Sequence, residues 1–164
     1  LTVMIEKKVP RGIRNNNPGN IKRGEPWFGL RRTQTDPDFC QFTSDVWGIR
    51  AMIIVIRTYV CKYNLRYVKD IISRWAPTNE NNTAAYVKFV ETYMKTAGSK
   101  YNQPFLNLDF KPTYSNGSYH YTEGFYRLFW MLKAMCIMES DYDLDFDLFR
   151  NAYNHTIHQP QHQG

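Results

Sequence analysis

The chain has 164 residues, the size of one domain, and 43% of them are hydrophobic, enough to build a single core. A net charge of +6 and a pI near 9.2 imply an anionic partner: nucleic acid, a membrane surface or an anionic cell wall. The longest apolar stretch, LFWMLKAMCIM at 128–138, contains a lysine and is too short to span a bilayer, so no transmembrane segment is expected.

Residues 1–12 read as an irregular N-terminal arm, without the apolar run of a signal peptide. The string RNNNPGNI (14–21) follows, with three asparagines before a Pro-Gly turn and a fourth after it. Residues 15–42 are rich in Asn, Gly, Pro and Asp and hold short apolar pieces, WFGL at 27–30 and FCQF at 39–42. That pattern predicts a small β-hairpin. A helix is expected over 45–63, with Ser44 as N-cap and a stripe of Val46, Ile49, Ile53, Ile56, Val60 and Tyr63. A shorter one follows over 66–75 and stops before Pro77. A third covers 83–97, with Tyr86, Phe89, Val90, Tyr93 and Met94 on one face. Residues 98–122 are loop-like, with room for one extended turn. The segment 123–139 is apolar nearly all round and should be the central helix. In 141–153, Leu144, Phe149 and Tyr153 fit a last helix, and the polar tail 154–164 should fray. The fold class is therefore mainly α, an α+β domain over 13–153 with one small hairpin.

Cys40, Cys61 and Cys136 are too few and too widely spaced for a disulfide framework. Cys61 and Cys136 lie in apolar periodic segments and are expected to be buried thiols. The four histidines show no ligand spacing, so neither a metal nor another cofactor is expected.

Glu139 stands out among the titratable residues. Leu128, Leu132, Met135 and Glu139 are spaced four, three and four apart, which puts the carboxyl on the core face of the last turn of the central helix. Desolvation and the negative end of the helix both favour the protonated acid there, as a glycosidase general acid requires. The plain alternative is a helix end pointing into water. Asp36, in the acidic turn Thr35-Asp36-Pro37-Asp38, is a candidate second carboxylate, or simply part of a turn. Tyr86 is either a core tyrosine or a cleft residue. Trp27 and Trp75 flank polar turns and could stack on sugar rings or simply pack. Glu80 could line a cleft or cap the third helix.

Taken together, RGIRNNNPGNI, W-F-G, T-D-x-D-F-x-x-F, G-I-R-A, I-I-x-R-W-A-P and N-E-N-x-T-x-x-Y span about residues 11–95. This series resembles a family of phage virion proteins and lysins carrying an RNNNPGNI signature, taken as lysozyme-like or transglycosylase-like wall-degrading domains. A second resemblance is to autolysin-type glucosaminidases and the flagellar rod-associated muramidase. Their N-L-F-G-I-K segment is similar to Asn17-Pro18-Gly19-Asn20-Ile21-Lys22. Their W-x-G is similar to Trp27 and Gly29, the T and acid of their hairpin to Thr35 and Asp36, and the T and Y of their late helix to Thr83 and Tyr86. In that family the catalytic glutamate precedes N-L-F-G-I-K, within A-x-x-E-S-x-[WYF]. Nothing before Asn15 fits, since Glu6 has no apolar helix behind it. Ala134 to Tyr142, with Glu139-Ser140 at its centre, resembles that helix end and lies near the other end of the chain. The resemblance thus implies a lysozyme-like domain in circularly permuted order.

What it implies is an enzyme, a peptidoglycan-degrading glycosidase cleaving β-1,4 bonds of the glycan strand. Glu139 would be the general acid, Asp36 a second acid, water-positioning or charge-stabilising, and Tyr86 would orient the sugar or stabilise the cation. Asn17, Asn20, Trp27, Thr35, Trp75 and Glu80 would line the substrate. For the asparagines, tying a tight turn together is favoured over binding an aminosugar. The implied partners are glycan strands and other virion proteins, and the implied setting is a phage virion or delivery to the bacterial wall. Two rivals remain: a non-catalytic virion or wall-binding module, marked by an exposed Glu139 with no cleft joining it to Tyr86, and a nucleic-acid-binding protein. The dispersed basic residues speak against nucleic acid.

Overall fold

The computed structural model describes residues 8–77, 82–97 and 110–158. In chain order the elements are α1 (Arg11–Arg14), α2 (Asp45–Cys61), α3 (Val68–Trp75), α4 (Thr83–Thr96), β1 (Thr113–Ser115), β2 (Ser118–His120), α5 (Glu123–Ser140) and α6 (Phe146–His158). The architecture is mainly helical with a two-stranded antiparallel sheet, as the composition and periodicity predict. Among the described residues no helix is long and apolar enough to cross a membrane.

The core sits around α5. Phe125, Leu128, Met131, Leu132, Ala134, Met135 and Cys136 are all fully buried, which accounts for a helix apolar on nearly every side. Each large side chain so buried contributes about 1.5–3 kcal/mol. Helix α4 packs along α5, α3 along α4, and α2 along α6. The α2 stripe meets the core through Ile49, Ile53, Ile56 and Val60, and Leu144, Phe149 and Tyr153 of the last segment are buried as the pattern predicts. Asn82 caps α4 by accepting from Ala85 N at 3.2 Å, and Thr122 caps α5 by accepting from Phe125 N at 3.0 Å. Ser44 occupies the expected N-cap position of α2, but its hydroxyl makes no capping bond.

Four expectations need correction. The hairpin does not form within 15–42, where only isolated bridges Lys22↔Phe39 and Leu30↔Phe42 occur. Side-chain amides and Asp36 take up much of the backbone there instead of a strand ladder. The hairpin is β1–β2, with Ser115 opposite Ser118 and a two-residue Asn116-Gly117 loop. Both loop residues have positive φ, 52° and 78°, as the tight turn that suits twisted strands requires. Residues 11 and 12, expected in the arm, belong to α1, and α6 runs to His158, past the expected end of the domain. Cys61 is exposed because it closes α2, whereas Cys40 and Cys136 are buried.

Two glycines permit the close approach of α1, α2 and the end of α5 to the asparagine-rich turn. A Cβ on Gly12 would collide with the Ser140 hydroxyl and the Asn17 carbonyl, and one on Gly48 with the Asn16 carbonyl.

Candidate active site

The RNNNPGN turn is held by its own amides. Asn17 is fully buried. Its Nδ2 donates to the carbonyls of Ile21 and Cys40, both at 2.9 Å, and its Oδ1 accepts from Ile21 N at 2.9 Å. Asn16 and Asn20 have φ of 50° and 51°, the left-handed region that asparagine tolerates better than most residues. Asn15 donates to Asp36 Oδ2 at 2.8 Å and accepts from Gln41 Nε2 at 3.1 Å. The turn is a scaffold, and the Asn17 amide has no group left for a substrate.

This scaffold receives the end of α5. Ser140 Oγ donates to Pro18 O at 2.8 Å, and Asn20 Nδ2 donates to Glu139 O at 2.9 Å. Asp141 ends the helix in the left-handed region, with its N–H returning to Ile137 O at 2.9 Å. The Glu139-Ser140 helix end and the Asn17–Asn20 turn, about 120 residues apart in the chain, are thus in direct contact.

Glu139 is half-buried, and its carboxylate is held from both sides. From the helices, Trp75 Nε1 at the end of α3 and Tyr86 OH on α4 both donate to Oε2 at 3.0 Å. From the turn, Asn20 Nδ2 approaches Oε1 at 3.4 Å. Tyr86 is buried; desolvation and the adjacent Glu139 push its hydroxyl well above its ordinary pKa, so it remains a neutral donor. Its OH holds the carboxylate. Trp75 does the same and also lines the open cleft.

That cleft, about 1200 Å³, runs between the two walls. Asn20, Arg23, Asp38 and Phe39 line one side, and Tyr59, Arg74, Trp75 and Glu139 line the other. Glu139 is thus neither a frayed end in water nor cut off from Tyr86.

Asp36 does not line this cleft. It is buried, and its oxygens accept from Arg11 Nε at 2.6 Å and Nη2 at 2.5 Å, Asn15 Nδ2 at 2.8 Å, and the N–H groups of Asp38 and Phe39 at 2.9 Å. The Arg11 guanidinium, opposed by burial and aided by the other donors, holds this carboxyl well below the usual carboxylate range. A carboxylate held ionised at neutral pH by five donors is a clamp for the turn, away from the cleft where a second acid was expected. Asp38, two residues on, is exposed, faces the cleft and pairs with Arg11 at 3.0 Å. The sequence had flagged the acidic turn but not which of its carboxylates turns outward.

The remaining expected substrate contacts divide. Trp27 is a core residue with 3% exposure, packed in the main hydrophobic cluster. Thr35 is exposed away from the cleft and bonds Gln41 Oε1 through both its N–H and its hydroxyl. Asn20 and Trp75 are at the cleft. Glu80 lies outside the described residues. Arg11, Tyr59 and Arg74 were not expected in the site; they come from three separate segments, and no local pattern joins them. Among the described residues no cluster of histidine, cysteine and carboxylate side chains is arranged to hold a metal.

No protein-family model matches the chain. Over 87 residues, 51% of this chain, it is 48% identical to Protein P5 of Pseudoalteromonas phage PM2. The matched stretch is 54% of that protein, so the chain spans about half the length of the curated relative. Over that stretch the chain is similar to a phage protein.

Proposed function

We propose that the protein is a lysozyme-like, peptidoglycan-degrading glycosidase that acts on β-1,4 bonds of the glycan strand, with Glu139 as its general acid. The observation that carries this reading is the Glu139 carboxylate held at a long open cleft by Trp75, Tyr86 and Asn20. Oε2 accepts from two donors, so Oε1 is the oxygen left to carry a proton to the glycosidic oxygen of the leaving sugar. Fixing one carboxylate oxygen sets the direction in which the other presents its proton.

The reaction proposed is a single-carboxyl one. Glu139 protonates the leaving oxygen as the C1–O bond breaks. The resulting carboxylate then takes the proton from the C6 hydroxyl of the same sugar as that oxygen bonds C1. The product is an anhydro-sugar, and no water is consumed. Two features support this transglycosylase route over hydrolysis: Asp36 is occupied as a clamp, and Asp38 shares its charge with Arg11. The phage relative supports a setting in which a virion brings the domain to the bacterial wall, with other virion proteins as partners.

Purified sacculi incubated with the protein should release soluble muropeptides, whose mass spectra show products lighter by one water than hydrolysed ones. Full-mass reducing products would replace the transglycosylase route with hydrolysis. Glycan strands left intact, across wall types, would sink the enzymatic reading.

A further inference from the structure

Four cations line the cleft, Arg11, Lys22, Arg23 and Arg74, against two carboxylates, Asp38 and Glu139. Arg11 is occupied by Asp36 and Asp38. Arg23 and Arg74 are held differently. Arg23 Nη1 donates to the backbone carbonyl of Asp36 at 3.2 Å. The Arg74 guanidinium lies over the Tyr63 ring at 3.9 Å and the Tyr59 ring at 5.2 Å. These partners are neutral. They orient a guanidinium without cancelling its charge, and among the described residues neither arginine makes an ion pair.

The two also come from opposite walls. Arg23 follows the turn that supplies Asn20, and Arg74 precedes Trp75, whose indole holds Glu139. An unsubstituted, neutral glycan offers no partner to either. A wall glycan does, because the peptide stems on alternate sugars end in carboxylates, which match the planar fork of a guanidinium.

We propose that Arg23 and Arg74 form a carboxylate-recognising pair, one on each wall, by which the cleft selects glycan bearing peptide stems. The proposal rests on the peptidoglycan reading above and names the part of that substrate the cleft distinguishes. Phosphate groups of wall polymers offer related anionic chemistry, so the probe must separate the two sources.

The test is co-sedimentation of the Glu139→Gln protein, which binds without cleaving, with sacculi stripped of phosphate polymers. One batch is native, and in the other the stem carboxylates are converted to neutral amides. Native sacculi should bind at least about tenfold more tightly than amidated ones, the equivalent of one good charge-assisted contact. Arg23→Gln/Arg74→Gln in the same background should reduce that preference to about twofold or less. Each single variant should lose part of it, and melting temperatures should stay at the parent value because both side chains are exposed. Equal binding of both batches, or a preference that survives the double substitution, would overturn the proposal. So would a preference seen only on unstripped walls, which would assign the site to phosphate. If the parent binds native sacculi selectively yet cuts nothing, the carboxylate pair stands and the glycosidase reading fails.

Discussion

The two walls of the cleft are built on opposite principles. The helical wall, α3 to α5, stands on buried apolar side chains, with Ile71, Ile72, Val90, Met94, Leu132 and Met135 almost completely removed from water. The wall of residues 15–42 has little regular structure and stands on hydrogen bonds that Asn15, Asn17 and Gln41 donate and that the Asp36 carboxylate accepts. Glu139 is held by both. Hydrophobic burial tolerates small shifts and is indifferent to pH. A polar knot fixes atoms more tightly but fails when one member loses its charge or its partner. The first wall therefore supplies stability, and the second fixes the Asn20 amide against the end of α5.

The largest effect expected from breaking this contrast lies in the helical part. Phe125→Ala removes a fully buried ring packed against Phe149 and Tyr153 and should cost about 3–5 kcal/mol. Urea unfolding should show the whole domain weakened, with both walls lost together.

Asp36→Asn should cost less, about 2 kcal/mol at neutral pH, because buried donors including the Asn15 amide lose a charged acceptor. Its pH dependence has a definite sign. The folded carboxyl titrates below its unfolded value, so its contribution is complete above about pH 4 and is lost as pH falls toward the folded value. The difference in melting temperature between parent and variant should stay constant from about pH 7 to pH 5 and shrink below about pH 4. A difference that grows on acidification would mean that Asp36 is not the clamp.

Trp75→Phe and Tyr86→Phe each remove one donor to Glu139 Oε2 and keep most of the ring. Each should slow wall digestion by about tenfold or more and lower the melting temperature by several degrees while the protein stays folded, since a hydrogen bond to a charged group is worth about 1.5–3 kcal/mol. Unchanged rates in both would show that the acid is not positioned by these donors.

The smallest effect is a difference in local opening, which the cysteines report directly. Cys40 lies in the polar wall, and burial raises its thiol pKa to about 11; Cys136 is buried in α5, and Cys61 is exposed. With a thiol reagent at neutral pH, Cys61 should react at once. In Asp36→Asn, Cys40 should then react faster than Cys136, because opening the knot does not require global unfolding. Equal rates for Cys40 and Cys136 would merge the two walls into one cooperative unit.

The same contrast explains what could be read from the sequence. Helical periodicity reports burial, so α2, α4 and α5 emerge within a few residues, and Glu139 is identified from its spacing behind Leu128, Leu132 and Met135. The polar wall has no period. Nothing local distinguishes Asp36, turned inward to Arg11, from Asp38, turned out to the cleft, because their difference depends on a partner 25 residues away. Trp27 reads as a cleft aromatic because it flanks a turn, yet it belongs to the core cluster. The β1–β2 hairpin was available as Asn116-Gly117 between tyrosines, a strong turn signal set in an otherwise loop-like stretch.

The most direct test of the account is the rate at which Glu139→Gln clears purified sacculi, measured beside the parent on protein of equal helicity and melting temperature. The amide is the same size, keeps an oxygen for Trp75 and Tyr86, and cannot deliver the proton. A loss of about 10²-fold or more is expected. A folded Glu139→Gln protein that clears sacculi at the parent rate would remove Glu139 as the acid and contradict the central claim.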